Sequence, residues 1–194
     1  RKAGLNVAET RTINGEDYHI LLSKRFDRNR DGRRIHFASA LTLLGLTDGD
    51  NASTGYGYTD IADFIIQHGS NVEQNLEEIF RRVAFYIIVG NSDDHFRNHG
   101  FLLTRKGWEL SPAYDINPTL SDNQSLLINR STSESNLNIL LASAGEYMLS
   151  TEKANRIITD VKTTMKSWRT EARRLGLLQR DIDMFAPRFD TRLF

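Results

Sequence analysis

Cysteine is missing altogether from the 194 residues. That excludes disulfide scaffolds, Cys-bound zinc and thiol catalysis, and it fits a reducing, cytoplasmic setting. An excess of charge of either sign is missing as well. With 25 Lys and Arg against 25 Asp and Glu, no global field exists to hold nucleic acid or an anionic membrane. Long apolar runs are also lacking. The longest fall far short of the roughly 18 residues that a membrane span needs, and nothing reads as a signal peptide. Methionine is absent from the front: residue 1 is Arg and the first Met is Met148, so a piece of a longer chain is expected. What remains is ordinary. At 39% hydrophobic and 26% charged, the chain has the composition of a globular protein with a sizeable core.

Extended runs flank Asn14-Gly15, Thr10–Ile13 before it and Tyr18–Phe26 after it, which predicts a hairpin on a type I′ turn. Residues 28–34 are polar and rich in arginine (Arg28, Arg30, Arg33, Arg34), and read as a solvated loop. Phe37, Leu41 and Leu44 fall on one helical face stopped by Gly45. Gly55-Tyr56-Gly57 reads as plain loop, and a short helix is expected from Thr59 to His68. The clearest helix follows. Ser70 and Glu73 make a capping box, and Val72, Leu76, Ile79, Phe80 and Val83 recur at helical spacing. Its second half, Ala84–Val89, is apolar on all sides and belongs in the middle of the domain. Phe101–Leu103 and Trp108–Leu110 around Arg105-Lys106-Gly107 predict a second hairpin. Helices are expected at Ser135–Met148, from Thr151 to Leu175, and near Leu178–Phe185. The last two would turn Ile157, Ile158, Val161, Met165 and Trp168 inward and Lys166, Arg169, Arg173, Arg174 and Arg180 to water. The expected class is α+β and mainly helical, with two short hairpins.

The anomaly is the polar run 90–98, Gly-Asn-Ser-Asp-Asp-His-Phe-Arg-Asn, into which the apolar helix empties. Carboxylates beside a core are costly without partners, so a metal, a cation or a substrate is expected there. Asp93 and Asn98 stand in an Asp-x-x-x-x-Asn spacing, and Asp115 follows after the second hairpin. A kinase-type phosphoryl transfer site needs these parts in this order. One carboxylate meets the attacking hydroxyl, while an amide oxygen and a second carboxylate hold Mg²⁺, which prefers oxygen ligands. The bland alternative is that Asp93 and Asn98 only cap the ends of a loop.

The stretch Gly90–Phe101 (GNSDDHFRNHGF), followed by Trp108–Pro118 (WELSPAYDINP), closely resembles HipA-type serine/threonine kinases, the toxin components of bacterial toxin–antitoxin systems. Ser23–Arg28 (SKRFDR) resembles the inter-lobe hinge of that family, and Arg33-Arg34-Ile35-His36 its next segment. The resemblance implies a kinase C-lobe-like fold, with residues 1–27 as hairpin and hinge and residues 28–194 as the helical catalytic lobe. It implies ATP and Mg²⁺ as cofactors, Asp93 as catalytic base, and Asn98 and Asp115 as Mg²⁺ ligands. Backbone groups of Lys24 and Phe26 would meet adenine, with Asp27 near the ribose. The family often carries Glu where Lys24 stands, a change that backbone contacts would survive. The partners it implies are a protein substrate of the translation machinery (a translation factor or a tRNA synthetase) and an antitoxin. No residue here encodes the choice of substrate.

A glycine-rich phosphate loop and its strand lysine are not found, and in the family these precede the hinge. The chain is therefore expected to lack the ATP-clamping N-terminal lobe and to be inactive alone. Two rival readings stand. One is a non-catalytic, partner-binding module with a kinase-like lobe, against which the intact Asp93, Asn98 and Asp115 argue. The other is a metal-dependent phosphohydrolase using His95 and His99 with Asp93, Asp94 and Asp115, for which both histidines should point into the site.

Overall fold

The computed structural model describes residues 1–15, 18–119 and 121–193. Two small antiparallel sheets accompany a larger helical body, the α+β, mainly helical class that the sequence predicts. Strand β1 (Thr10–Asn14) pairs with β2 (His19–Ser23) in the register Asn14↔His19. The hairpin is therefore present, but Asn14 is its last paired residue rather than half of a two-residue turn. Glu16 and Asp17, within the connection, lie outside the described residues. The second hairpin, β4 (Gly100–Thr104) with β5 (Gly107–Leu110), gains a third strand, β3 (Phe37–Ser39). Phe37, expected on a helix, instead pairs with Leu102, and only Ala40–Leu43 (α1) is helical there. Ser39 caps α1, accepting from the Thr42 N–H.

Helix α2 (Tyr58–His68) and helix α3 (Val72–Val89) form the centre of the main core, with Ile61, Ile65, Leu76, Ile79, Phe80 and Val83 fully buried. As its composition requires, the second half of α3 is almost entirely inside; among 84–89 only Phe85 is partly exposed. The expected capping box does not form. Ser70 gives its hydroxyl to Glu109 at 2.8 Å, Glu73 meets Lys153, and the cap position falls to Asn71 in a left-handed conformation. A cross-element carboxylate has outcompeted the local one.

The C-terminal part is more segmented than periodicity suggests. Helix α4 (Leu137–Ala142) gives way to a 3₁₀ turn at Ala144–Tyr147, ended by Met148 with φ +54. The single long helix expected from Thr151 divides into α5 (Thr151–Met165) and α6 (Trp168–Arg174). At the break the Ser167 hydroxyl and amide both turn back onto the Thr164 carbonyl. Helix α7 (Gln179–Leu193) outruns its expected end and passes through Pro187. Its Ile182, Phe189 and Leu193 complete a second core with Ile88, Val161 and Trp168. Arg192 of α7 also donates to the Ile87 carbonyl near the end of α3. Among the described residues no helix is long and apolar enough to cross a membrane.

Gly55-Tyr56-Gly57 is a connector, as predicted. Gly57 runs alongside Leu127 in a parallel bridge, and a Cβ there would lie 2.4 Å from the Leu127 carbonyl oxygen. Gly57→Ala should therefore cost about 1–3 kcal/mol through overpacking against backbone. Urea unfolding would read this as a lowered midpoint; an unchanged midpoint would mean that the 126–128 segment moves aside freely.

Candidate functional site

Because α3 is buried to its last residue, the chain leaving it starts inside the fold. Gly90 turns it with φ +71, and a side chain there would meet the Thr119 carbonyl oxygen at 2.8 Å, so only glycine fits. The following loop is tied down from several sides. The Ser92 carbonyl accepts from the Ser125 N–H at 2.9 Å and from its hydroxyl at 2.8 Å. The Phe96 and His99 carbonyls accept from the Leu41 and Ala40 N–H groups at 3.2 and 2.7 Å. Within the loop the Asn98 N–H bonds to His95, and the Asn98 amide group reaches the Asp93 carbonyl at 3.4 Å.

Consecutive aspartates in this loop have opposite fates. Asp93 is exposed, and no described residue pairs with its carboxylate. Asp94 is 1% exposed, accepting from the Tyr58 hydroxyl at 2.8 Å and lying 2.6 Å from His99 Nε2. Burial, reinforced by Asp94, holds the Tyr58 hydroxyl far above its ordinary pKa, so it remains a donor. Asn98 is buried beside this group.

Asp115 sits at the end of a second route. Residues 111–115 run beside the N-terminal segment, with Ala113 bonded to both Asn6 and Ala8. Behind them lies Arg82 of α3, completely buried, bonded to Glu78 at 2.8 Å and to the Ser111 carbonyl at 2.7 Å. Asp115 itself is exposed with φ +55, a left-handed conformation unusual outside glycine. The Asn117 side chain donates to its Oδ1 at 2.8 Å, and no described residue bonds its Oδ2.

A cavity of about 1050 Å³ brings Asp115 together with Lys24, Phe26 and Asp27. Phe26 packs against Phe37 and Tyr114, with ring centres 5.8 and 5.7 Å away. The Lys24 N–H is already used by the Glu9 carbonyl at 2.8 Å, which leaves its own carbonyl for any ligand. Phe26 makes no main-chain hydrogen bond among the described residues. Asp27 is clasped by Arg25 and Arg28; chiefly the Arg25 hydrogen bond lowers its pKa to about 2. Asp93 and Asn98 do not line this cavity. They are linked to it by Tyr114, whose hydroxyl donates to the Arg97 carbonyl at 2.6 Å. Burial pushes Tyr114 up to about 12, so it too stays a donor at neutral pH.

Chemically, Asn98 and Asp115 carry oxygen donors of the kind a hard cation takes, but only Asp115 lines the cavity. The hydrolase set does not converge. His99 is fully buried against Asp94, and among the described residues no three His, Cys, Asp or Glu side chains group to hold a metal. Tyr58, Arg82 and Tyr114 also contribute to the site, although no motif in the sequence points to Tyr58 or Arg82. Arg82 left a trace, standing three residues after Ile79 and four before Tyr86 on the apolar face, with Glu78 four behind.

The family model described as HipA-like C-terminal domain matches residues 1–168. The serine/threonine-protein kinase toxin HipA of Shewanella oneidensis is 27% identical over 130 residues, 58% of this chain and 30% of that protein. Curated relatives are in each case much longer: the chain spans 30–37% of their length. Among solved structures, the Shewanella oneidensis complex of HipA, HipB and operator DNA aligns with a TM-score of 0.77 at 20% identity, covering 98% of this chain and 51% of that one. The Helicobacter pylori proinflammatory kinase CtkA aligns with a TM-score of 0.51 at 16% identity, covering 91% and 84%.

Proposed function

The chain belongs to the family of HipA-like C-terminal domains, and from that membership we propose that it is the catalytic lobe of a HipA-like serine/threonine protein kinase. One observation carries the reading. The hinge-like segment and Asp115 line a single cavity, and Tyr114 joins that cavity to the loop of Asp93 and Asn98. In this proposal adenine lies over Phe26, meeting the Lys24 carbonyl and the Phe26 N–H. Asn98 and Asp115 hold Mg²⁺, which supplies charge neutralisation at the phosphates. The exposed Asp93 carboxylate orients the substrate hydroxyl and takes its proton. The bond from the γ-phosphorus to the β,γ-bridging oxygen breaks, a new P–O bond forms to the hydroxyl oxygen, and ADP leaves. Asp27, held by two arginines, is available to the ribose only by sharing its oxygens with them. The cytoplasm is the compartment of this proposal. So are two partners: a protein substrate, and an antitoxin, in view of the HipB in the aligned Shewanella complex.

Calorimetric titration of ATP into the chain, with and without Mg²⁺, tests the reading. Mg²⁺ should strengthen binding, and Asp115→Asn should remove at least ~10-fold of that gain, since even outer-shell groups of metal sites are worth 10–100-fold. Asp93→Asn should bind ATP much as the wild type does, because its role is at the hydroxyl. Binding that ignores both Mg²⁺ and Asp115 would sink the proposal.

A further inference from the structure

Immediately behind Asp93 and Asn98 lies a buried polar group that the proposed chemistry does not use. Tyr58 and His99 have no exposed surface and Asp94 has 1%. A single oxygen of Asp94, Oδ2, takes both the Tyr58 hydroxyl at 2.8 Å and His99 Nε2 at 2.6 Å. The remaining polar atoms, Asp94 Oδ1 and His99 Nδ1, are buried with no partner. An arrangement of this kind is a poor way to gain stability. Apolar side chains of similar volume would fill the space without stranding two polar atoms. Its value must lie in what it fixes.

What it fixes is the loop. Asp94 follows Asp93 and His99 follows Asn98, so the pair clamps both ends of the segment that carries the two proposed site residues. Asp94 is drawn into the interior while Asp93, the residue before it, stays exposed, so the anchored side chain fixes where its neighbour can point. Tyr58 anchors the clamp to the body of the fold: it opens α2, and its N–H is bonded to Leu127 at 3.0 Å. The Tyr58 ring also stands edge-on to His99, with centres 5.7 Å apart. We propose that Tyr58, Asp94 and His99 are positioning residues that hold Asp93 toward substrate and Asn98 toward metal. The inference rests on the kinase reading for its purpose, but the clamp itself can be tested without it.

The decisive variant is Tyr58→Phe, which removes one oxygen and keeps the ring; Asp94→Asn serves as a second. Amide hydrogen exchange should show Asn98, whose N–H bonds to His95, exchanging at least ~10-fold faster in Tyr58→Phe while the amides of α3 keep their protection. Titration with ATP should show the Mg²⁺-dependent part of binding weakened ~10-fold or more, and binding without Mg²⁺ unchanged. A merely structural role predicts the reverse: a lower unfolding midpoint, uniformly faster exchange, and an unaltered Mg²⁺ effect in the folded protein. Unchanged exchange at Asn98 in both variants overturns the inference. Wild-type binding with no Mg²⁺ or Asp115 dependence overturns the kinase reading instead, and the exchange data still decide the clamp.

Discussion

Given labelled ATP, Mg²⁺ and a generic protein substrate, the 194-residue chain alone should transfer phosphate no faster than its Asp93→Asn variant. It should fold well enough for the assay to be meaningful. Helices α2, α3 and α5 share one core, and α6 and α7 close a second against the end of α3 and the N-terminal Ala3 and Leu5. Phosphoryl transfer, however, is nearly all positioning and charge neutralisation. In the proposal these residues supply a base and two oxygen ligands, with no glycine-rich cradle or strand lysine among the described residues to grip the β- and γ-phosphates. The one Gly-x-Gly, at 55–57, is occupied in packing against Leu127. A single transition-state arginine is worth ~10³–10⁵ in rate, so working without a phosphate clamp should cost at least that range. Robust labelling that disappears in Asp93→Asn would show that a clamp exists within these residues after all.

The part of this fold that was legible in sequence is the part governed by short-range rules. Periodicity marks α3, Gly69 bounds α2, and the apolar runs either side of Arg105-Lys106-Gly107 mark the β4–β5 hairpin. The polar run after Val89 was legible because a wholly apolar helix end must be buried, which carries whatever follows into the interior. Failures cluster where a distant partner outcompetes a local one. Ser70 prefers Glu109 to Glu73, and Phe37 prefers the edge of β4 to a helical turn. The break between α5 and α6 lacks glycine and proline, and rests on a serine bonding back to Thr164, which no period reveals. The site was legible as a set of residue types but not as a space. Nothing in the order of residues says that Phe26 would pack against Tyr114, or that Tyr114 would reach Arg97. Motif membership marked Asp94 and His99 as much as Asp93 and Asn98. Only burial separates Asp94, Asn98 and His99, which lie inside, from Asp93, which faces out.

Arg82→Ala should be the most destabilising single change in the chain, by about 3–5 kcal/mol, the usual consequence of stranding one partner of a buried ion pair. The Arg82 side chain is 1% exposed, and its partner Glu78 is 15% exposed. Glu78 also accepts from the Asn6 N–H, and Arg82 from its other end holds the Ser111 carbonyl. Three segments thus meet on one ion pair: the middle of α3, the N-terminal run through Glu78, and the stretch leading to Asp115 through Arg82. Removing it leaves a half-buried carboxylate and a buried carbonyl without their donor, as well as a void in the core. Against a total stability of ~5–15 kcal/mol, much of the folded state's margin would go. With urea slopes of ~1–3 kcal/mol per molar, the unfolding midpoint should fall by more than about 1 M at unchanged slope. The double variant Arg82→Met with Glu78→Gln separates charge from packing. Neither charge then remains, so stability should recover a large share of the loss even though the original bonds are gone. If the double variant is as unstable as the single one, the defect lies in the lost bond to Ser111 rather than in the stranded carboxylate. Titration with Mg²⁺ and ATP would then show whether the Asp115 segment has moved with it.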